Sequence, residues 1–332
     1  MKTLSMGKIR GMQQISTSTG RITVLALDQR GSITENLGIP KGDPALYETL
    51  RDFKLGTVNR LAGYASAVLL DPEYGAHEAV ARGILPGNKG LIVTLEESGY
   101  INETTARLNR IIPGWSIRKA KKMGASAVKL LVHYNPYALD LAETQDRFIR
   151  AFVTEAQEED IPLLIEPVSY STDPAVAKDS QEFAAQRPEM VVETARRIGA
   201  LGVEMLKMEF PYDAKFNADE QAWETACQKI TQSSMVPWAL LSAGVDFEVF
   251  KRQALVACKS GASGFVAGRA IWKEATLLRG AQRDSFLAST GCDRLAELAD
   301  NAEKYARPWT TLFPGLASAA TREWYKSFSE EA

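Results

Sequence analysis

Hydrophobic and polar positions along the chain fall into short apolar runs, each closed by polar or glycine residues. Ile22–Leu27 runs into Asp28-Gln29-Arg30-Gly31, Ser66–Leu70 into Asp71-Pro72-Glu73, and Gly90–Leu95 into Glu96-Glu97-Ser98-Gly99. Ser126–Val132, Pro162–Ile165, Val203–Glu209, Pro237–Leu241 and Gly264–Ala267 follow the same plan. Runs of this length between turn residues read as buried strands. The stretches between them carry helical periodicity. They predict helices over Met6–Ser18, from an Asp43-Pro44 start to Leu61, after Pro113 to Met123, over Glu143–Glu158, from Pro188, over Asn217–Gln232, and after an Asp246 cap. From about residue 284 the chain reads as further helix broken at Pro308 and Pro314. Strand–helix alternation implies a parallel sheet, and eight such units without a Rossmann glycine fingerprint predict a closed barrel. The expected architecture is a single (β/α)8 (TIM) barrel domain. The barrel proper spans about 20–280, with an extra N-terminal helix and a C-terminal helical extension at about 284–332.

A faint internal echo supports the alternation. Gly63, Gly124, Gly199 and Gly261 each open a short Gly/Ala-rich stretch just before a strand. A tight helix-to-strand turn wants a residue with φ > 0 there, so each is expected to take that conformation. Ser169–Ser180 is a polar loop long enough to lie over a site.

Strand parity points to the chemistry. Successive side chains on a strand alternate faces, so Lys207 goes with Met205, Lys129 with Ala127, Glu166 with Leu164, Asp28 with Ala26, and Ser242 with Leu240. If these faces point inward, two lysines and two carboxylates meet at the C-terminal mouth of the barrel, where such barrels place their sites. A buried lysine is costly to keep charged, so Lys207 either performs amine chemistry or snorkels to solvent or pairs with Glu209. In the first case Lys129 is the cation that lowers its proton affinity, Glu166 shuttles protons, and Asp28 handles a hydroxyl proton. Alternatively the four groups form a stabilising ion-pair layer. The turns Ser242-Ala243-Gly244 and Gly268-Arg269, after the seventh and eighth strands, suit an anion: glycine lets main-chain N–H groups approach, and Arg269 adds charge.

Composition narrows the picture. With 45% hydrophobic and 24% charged residues and a net charge of −2, the 332-residue chain offers no basic block for nucleic acid or an anionic membrane. Two histidines, His77 and His133, exclude a three-histidine zinc site, and each reads as a loop or helix-face residue. Cys227, Cys258 and Cys292 are odd in number and far apart, so free thiols in a reducing compartment are expected. With an N-terminus that lacks a signal peptide's apolar core, this points to the cytoplasm. Trp309, Phe313, Trp324, Tyr325 and Phe328 in the tail suit either a subunit interface, giving a homo-oligomer, or packing on the barrel itself.

These residues resemble a known family, the class I (Schiff-base) aldolases grouped with tagatose 1,6-bisphosphate aldolase, from about Ile22 to Trp272. The resemblance rests on Leu-Asp28-Gln-Arg-Gly, Leu-Leu-Asp71-Pro-Glu-Tyr-Gly, Ala-Val-Lys129-Leu-Leu, Leu-Leu-Ile-Glu166, Leu-Lys207-Met-Glu, Leu-Ser242-Ala-Gly-Val and Gly268-Arg269-Ala-Ile-Trp. It implies Lys207 as the imine-forming lysine, Glu166 as the acid/base, and Lys129 and Asp28 around the cleaved bond. Ser242, Gly244, Gly268 and Arg269 match the grip on the ketose C1 phosphate, with Ala243 in the same turn and Gln29 in the turn after the first strand also expected to bind substrate. The sugar phosphate is then cut to dihydroxyacetone phosphate and glyceraldehyde 3-phosphate, with neither metal nor cofactor. Ile-Glu166-Pro-Val and Gly-Ala-Ser-Gly-Phe-Val-Ala-Gly-Arg269 look more like the related sulfofructose-phosphate aldolases, whose substrate gives sulfolactaldehyde instead. Arg30 is a candidate reader of that anion, or a structural arginine. A catalytically idle, sugar-phosphate-sensing barrel is the remaining alternative.

Overall fold

The computed structural model describes residues 4–40, 42–313 and 322–327. Eight strands, all parallel, close in chain order into a barrel. They are β1 (Ile22–Leu27), β2 (Ala67–Leu70), β3 (Gly90–Thr94), β4 (Ala127–Tyr134), β5 (Leu163–Ser169), β6 (Met205–Met208), β7 (Trp238–Leu241) and β8 (Gly264–Ala267), with β8 pairing back onto β1. Helices alternate with the strands, as their periodicity predicts.

Two apolar cores result from the period of two along each strand. Val24, Ala26, Leu69, Ile92, Ala127, Leu164, Met205, Ala239 and Val266 fill the barrel interior. Leu25, Leu27, Val68, Val93, Val128, Leu130, Ile165, Leu206 and Leu240 face the helices. Met12 and Ile15 from the N-terminal helix side and Trp309 and Phe313 from the tail close the interior at its N-terminal end. The helix Met6–Gln14 lies hard against the barrel floor. A Cβ on Gly11 would fall 2.3 Å from the Ser126 carbonyl oxygen, and Lys8 pairs with buried Glu204 at 3.0 Å. Trp309 and Phe313 thus pack on the barrel's own floor; Trp324 and Tyr325 are exposed, and Pro314 and Phe328 lie outside the described residues.

Several boundaries differ from the sequence expectation for physical reasons. The helix expected from Pro188 begins at Gln181, where the Ser180 side chain accepts from the Phe183 N–H, and Pro188 sits inside it. Short helices at Gly31–Leu37 and Ala76–Ala81 follow β1 and β2, too short to carry a readable period. Asp43 caps a turn through the Ala45 N–H, and the helix proper starts at Leu46. Of the four echo glycines, only Gly124 and Gly261 have positive φ; in the Gly199 stretch that conformation falls to Gly202, at φ 104°, and Gly63 needs none.

Candidate active site

The inward faces of β1, β4, β5 and β6 carry Asp28, Lys129, Glu166 and Lys207 to the C-terminal end of the barrel, one layer above the apolar interior. Register makes this unavoidable: Lys129 is level with Leu164 and Thr94, Glu166 with Leu131, and Lys207 with Ala239. Lys207 Nζ lies 2.8 Å from Glu166 Oε1, and Lys129 Nζ lies 2.6 Å from Glu166 Oε2 and 2.8 Å from Asp28 Oδ2. The Lys129–Glu166 contact is an ion pair outside hydrogen-bonding angles, so Glu166 Oε2 is charge-paired without being hydrogen-bonded. Lys207 therefore pairs with Glu166 on the adjacent strand. Glu209 turns instead to the main-chain N–H and hydroxyl of Ser169, with Lys178 at 3.7 Å.

Glu96 completes the cluster, its Oε1 2.6 Å from Lys129 Nζ and its Oε2 accepting the Leu131 N–H at 3.0 Å. It shares its face with Ile92 and Thr94, so the parity rule that found the others also reaches it; the adjacent Glu97 hid the choice. Glu96 changes the electrostatics. Lys129, expected as the cation that lowers the proton affinity of Lys207, is itself surrounded by three carboxylates. Burial pulls the Lys129 ammonium down, but Asp28, Glu166 and Glu96 together hold it well above the ordinary lysine range. Burial likewise pushes the Asp28 and Glu166 carboxyls up. Lys129 and Lys207 outweigh it and hold both below their usual values. Asp28 Oδ1 is buried and has no hydrogen-bond partner among the described residues. Beneath Asp28, fully buried Lys54 pairs with Asp71 and donates to the Leu27 carbonyl at 2.8 Å, which pins the end of β1.

Above this layer opens a cavity of about 700 Å³. Gln29, Arg30, Ala243 and Arg269 line it. Ser242 does not: Leu240 faces the helices, so its parity partner turns away, and the Ser242 hydroxyl accepts the Gly268 N–H at 3.3 Å. Ala243 and Gly244 both have positive φ, 46° and 88°, and the Arg269 guanidinium lies against Gly244 and donates to the Ala243 carbonyl at 3.1 Å. Gly268 is equally constrained, since a Cβ there would fall 2.7 Å from the Ala26 carbonyl oxygen. Arg30 is spent on protein partners: Nη1 on Glu73 and Nη2 on the Glu96 carbonyl, both at 2.6 Å. It borders the cavity chiefly as the clamp that fixes Glu96.

On the far wall, sequence reasoning marked the Ser169–Ser180 loop but none of its functional side chains. The loop after β5 brings Lys178 to the cavity, and the following helix brings Arg187, whose Nε is buried and unpartnered among the described residues. His133, read as a helix-face or loop residue, stands on β4 and lines the cavity as well. Among the described residues no helix is long and apolar enough to cross a membrane.

The comparisons agree with this architecture. Residues 22–274 match the family model described as DeoC/LacD family aldolase. The chain is 34% identical over 287 residues to tagatose 1,6-diphosphate aldolase 2 of Enterococcus faecalis, covering 82% of this chain and 85% of that protein. It is 30% identical over 325 residues to a tagatose 1,6-diphosphate aldolase of Streptococcus agalactiae serotype V, covering 92% and 98%. Among solved structures, the fructose-bisphosphate aldolase of Plasmodium falciparum superposes with a TM-score of 0.67 at 13% identity, over 92% of this chain and 98% of that one, a likeness of fold. With a family match across the whole barrel and relatives aligned along most of their length, the chain belongs to the DeoC/LacD family of aldolases.

Proposed function

We propose that this aldolase cleaves tagatose 1,6-bisphosphate to dihydroxyacetone phosphate and glyceraldehyde 3-phosphate through a Schiff base on Lys207. The observation that carries the reading is the buried Lys207–Glu166 ion pair, 2.8 Å across, whose Glu166 side lines the cavity. A proton passing from Lys207 to Glu166 frees the amine to attack the ketose C2 carbonyl. Glu166 then returns that proton to the carbinolamine hydroxyl, which leaves as water, so the protonated imine forms with Glu166 ionised again. The partnerless Asp28 Oδ1 takes the C4 hydroxyl proton as the C3–C4 bond breaks, and its electron pair enters the imine to give an enamine. Lys129 steadies the developing alkoxide. Protonation of the enamine at C3 and hydrolysis of the imine release dihydroxyacetone phosphate. The strained Ala243-Gly244 turn with Arg269 suits the C1 phosphate, while Lys178 and Arg187 supply charge for the anion on the aldehyde half.

Borohydride added with dihydroxyacetone phosphate should fix the reduced adduct on the peptide bearing Lys207, and Lys207→Ala should abolish it. Absence of the adduct in the native protein sinks the mechanism. Cleavage rates on tagatose 1,6-bisphosphate and sulfofructose 1-phosphate, measured side by side, test the aldehyde half. Buried, unpaired Cys227, Cys258 and Cys292 support a reducing, cytoplasmic setting. Exposed Trp324 and Tyr325 support a homo-oligomer, which light scattering tests.

A further inference from the structure

The apolar run that predicts β4 stops at Val132, but the strand continues to Tyr134, and the extension carries His133 onto the inward face. Four residues of strand rise about 13 Å, so His133 stands on the outer wall of the cavity while Lys129 stands at its base. Its level neighbour on β5 is Val168, which lines the same wall.

The imidazole is fixed in place and in tautomer. Asn109 Oδ1 accepts the His133 main-chain N–H at 2.8 Å, faces ring Nδ1 at 3.3 Å, and also accepts from Gln145 Nε2 at 3.3 Å. A main-chain N–H only donates, so the Asn109 amide must present its oxygen here, and the Nδ1 that faces this oxygen must carry the ring proton. Tyr100 and Tyr170 hold the ring edge-on, 5.1 and 6.3 Å between centroids. Nε2 is left as an acceptor, with no hydrogen-bond partner among the described residues. The ring also stays neutral at physiological pH. Burial first, then Arg107 and Lys178, push it down to about 4, with Glu166 opposing them.

We propose that His133 Nε2 accepts a hydrogen bond from the hydroxyl next to the aldehyde carbon in the aldehyde half of the substrate, and so determines specificity for that half. The assignment rests on the aldolase reading above. An acceptor gains nothing from a fully ionised phosphate or sulfonate, which brings no hydrogen; that group falls to the cations Lys178 and Arg187 on the same wall. The geometry therefore divides recognition between an acceptor for the hydroxyl and cations for the anion. Glyceraldehyde 3-phosphate and sulfolactaldehyde share this hydroxyl, so the role is the same whichever aldehyde is released.

The test runs the reaction in the condensation direction with dihydroxyacetone phosphate. Glyceraldehyde 3-phosphate is compared with 3-oxopropyl phosphate, which lacks only that hydroxyl. The native enzyme should favour the hydroxylated aldehyde in kcat/KM by about tenfold or more, because the analogue leaves a buried acceptor unpaired. His133→Phe keeps an aromatic ring between Tyr100 and Tyr170 but removes the acceptor. Its preference should shrink to about twofold or less, with the KM for dihydroxyacetone phosphate and the borohydride trapping on Lys207 unchanged. His133→Asn, too short to reach, gives the same reading should the Phe variant not fold. A native-sized preference in either variant overturns the assignment of His133 while leaving the Schiff-base mechanism intact. A native enzyme that traps no adduct and condenses neither aldehyde overturns both.

Discussion

At the scale of single residues, the site is decided by how five buried ionisable groups share charge at the base of the cavity. Asp28, Glu96 and Glu166 converge on Lys129, and among the described residues Lys207 pairs with Glu166 alone. The pH consequence follows from the signs. Asp28 and Glu166 are held below their ordinary 3.8 and 4.5, so the stability they add is complete above those values and drains away as pH falls through the lowered ones. Lys129 is held above its ordinary 10.5, so its share is complete below 10.5 and is lost only as pH rises past the raised value. Neutral, buried His133 costs stability once pH falls through its ordinary 6.5, and the buried Cys227 and Cys258 thiols do so above their ordinary 9. Thermal unfolding should therefore show a plateau from about pH 7 to about pH 9, falling on both sides. Lys129→Met inverts the acid side. Three carboxylates then face one another without their central counter-charge, and protonating one of them relieves the repulsion. The variant should gain melting temperature relative to the native protein as pH drops from 8 to 5, and should lose about 10²–10⁴-fold in kcat. A variant whose melting profile matches the native one would mean that Lys129 is not what holds the carboxylates together.

Elements determined which of these groups were legible in the chain. Parity found Asp28, Lys129, Glu166 and Lys207 because each lies within, or one residue past, a strand whose inner face is packed, and a slip of one residue would turn it to the helices. Ser242 failed the same test because its parity partner Leu240 faces the helices, the inward position on β7 falling to Ala239. His133 and Arg187 were invisible for a different reason. One stands on a strand extension that the apolar run does not mark, and the other in a helix whose start Pro188 disguised. The β7 turn offers a controlled experiment on what glycine does there. Gly244 has φ 88° and a Cβ placed on it would sit 2.9 Å from the Arg269 guanidinium carbon, whereas Gly38 has φ 69° and open space around it. An alanine costs each site about 1–2 kcal/mol of backbone strain. Gly244→Ala must also displace Arg269, so it should raise the KM for dihydroxyacetone phosphate by about tenfold, near the loss of one charge-assisted hydrogen bond. Gly38→Ala should lower the melting temperature similarly and leave that KM unchanged. Equal KM values in the two variants would remove Arg269 from the phosphate site.

On the scale of the whole molecule, the barrel is an apolar plug with charge at one end and a hydrophobic floor at the other, and the two ends serve different purposes. The fold class was readable because strand–helix alternation is written along the entire chain. The floor was not, because it is built by segments far apart in sequence. Trp309, 1% exposed, donates its main-chain N–H to the Gly20 carbonyl at 3.0 Å and its ring N–H to the Ser16 hydroxyl at 3.1 Å. Its ring packs with Phe313 against the interior residues at the starts of the strands. The tail is therefore a stopper whose loss exposes the interior directly to water. Trp309→Ala should destabilise the fold by about 3–5 kcal/mol, the usual range for emptying a buried aromatic site. Yet the ionic layer around Lys207 stands at the opposite end of the strands, several packed layers away. Below its lowered melting temperature the variant should still be trapped by borohydride at Lys207 at the native rate. Denaturant unfolding gives the first quantity and timed trapping the second. A variant that keeps native stability would show that the tail merely rests on the floor, while slowed trapping in a folded variant would show that floor and site are coupled through the interior.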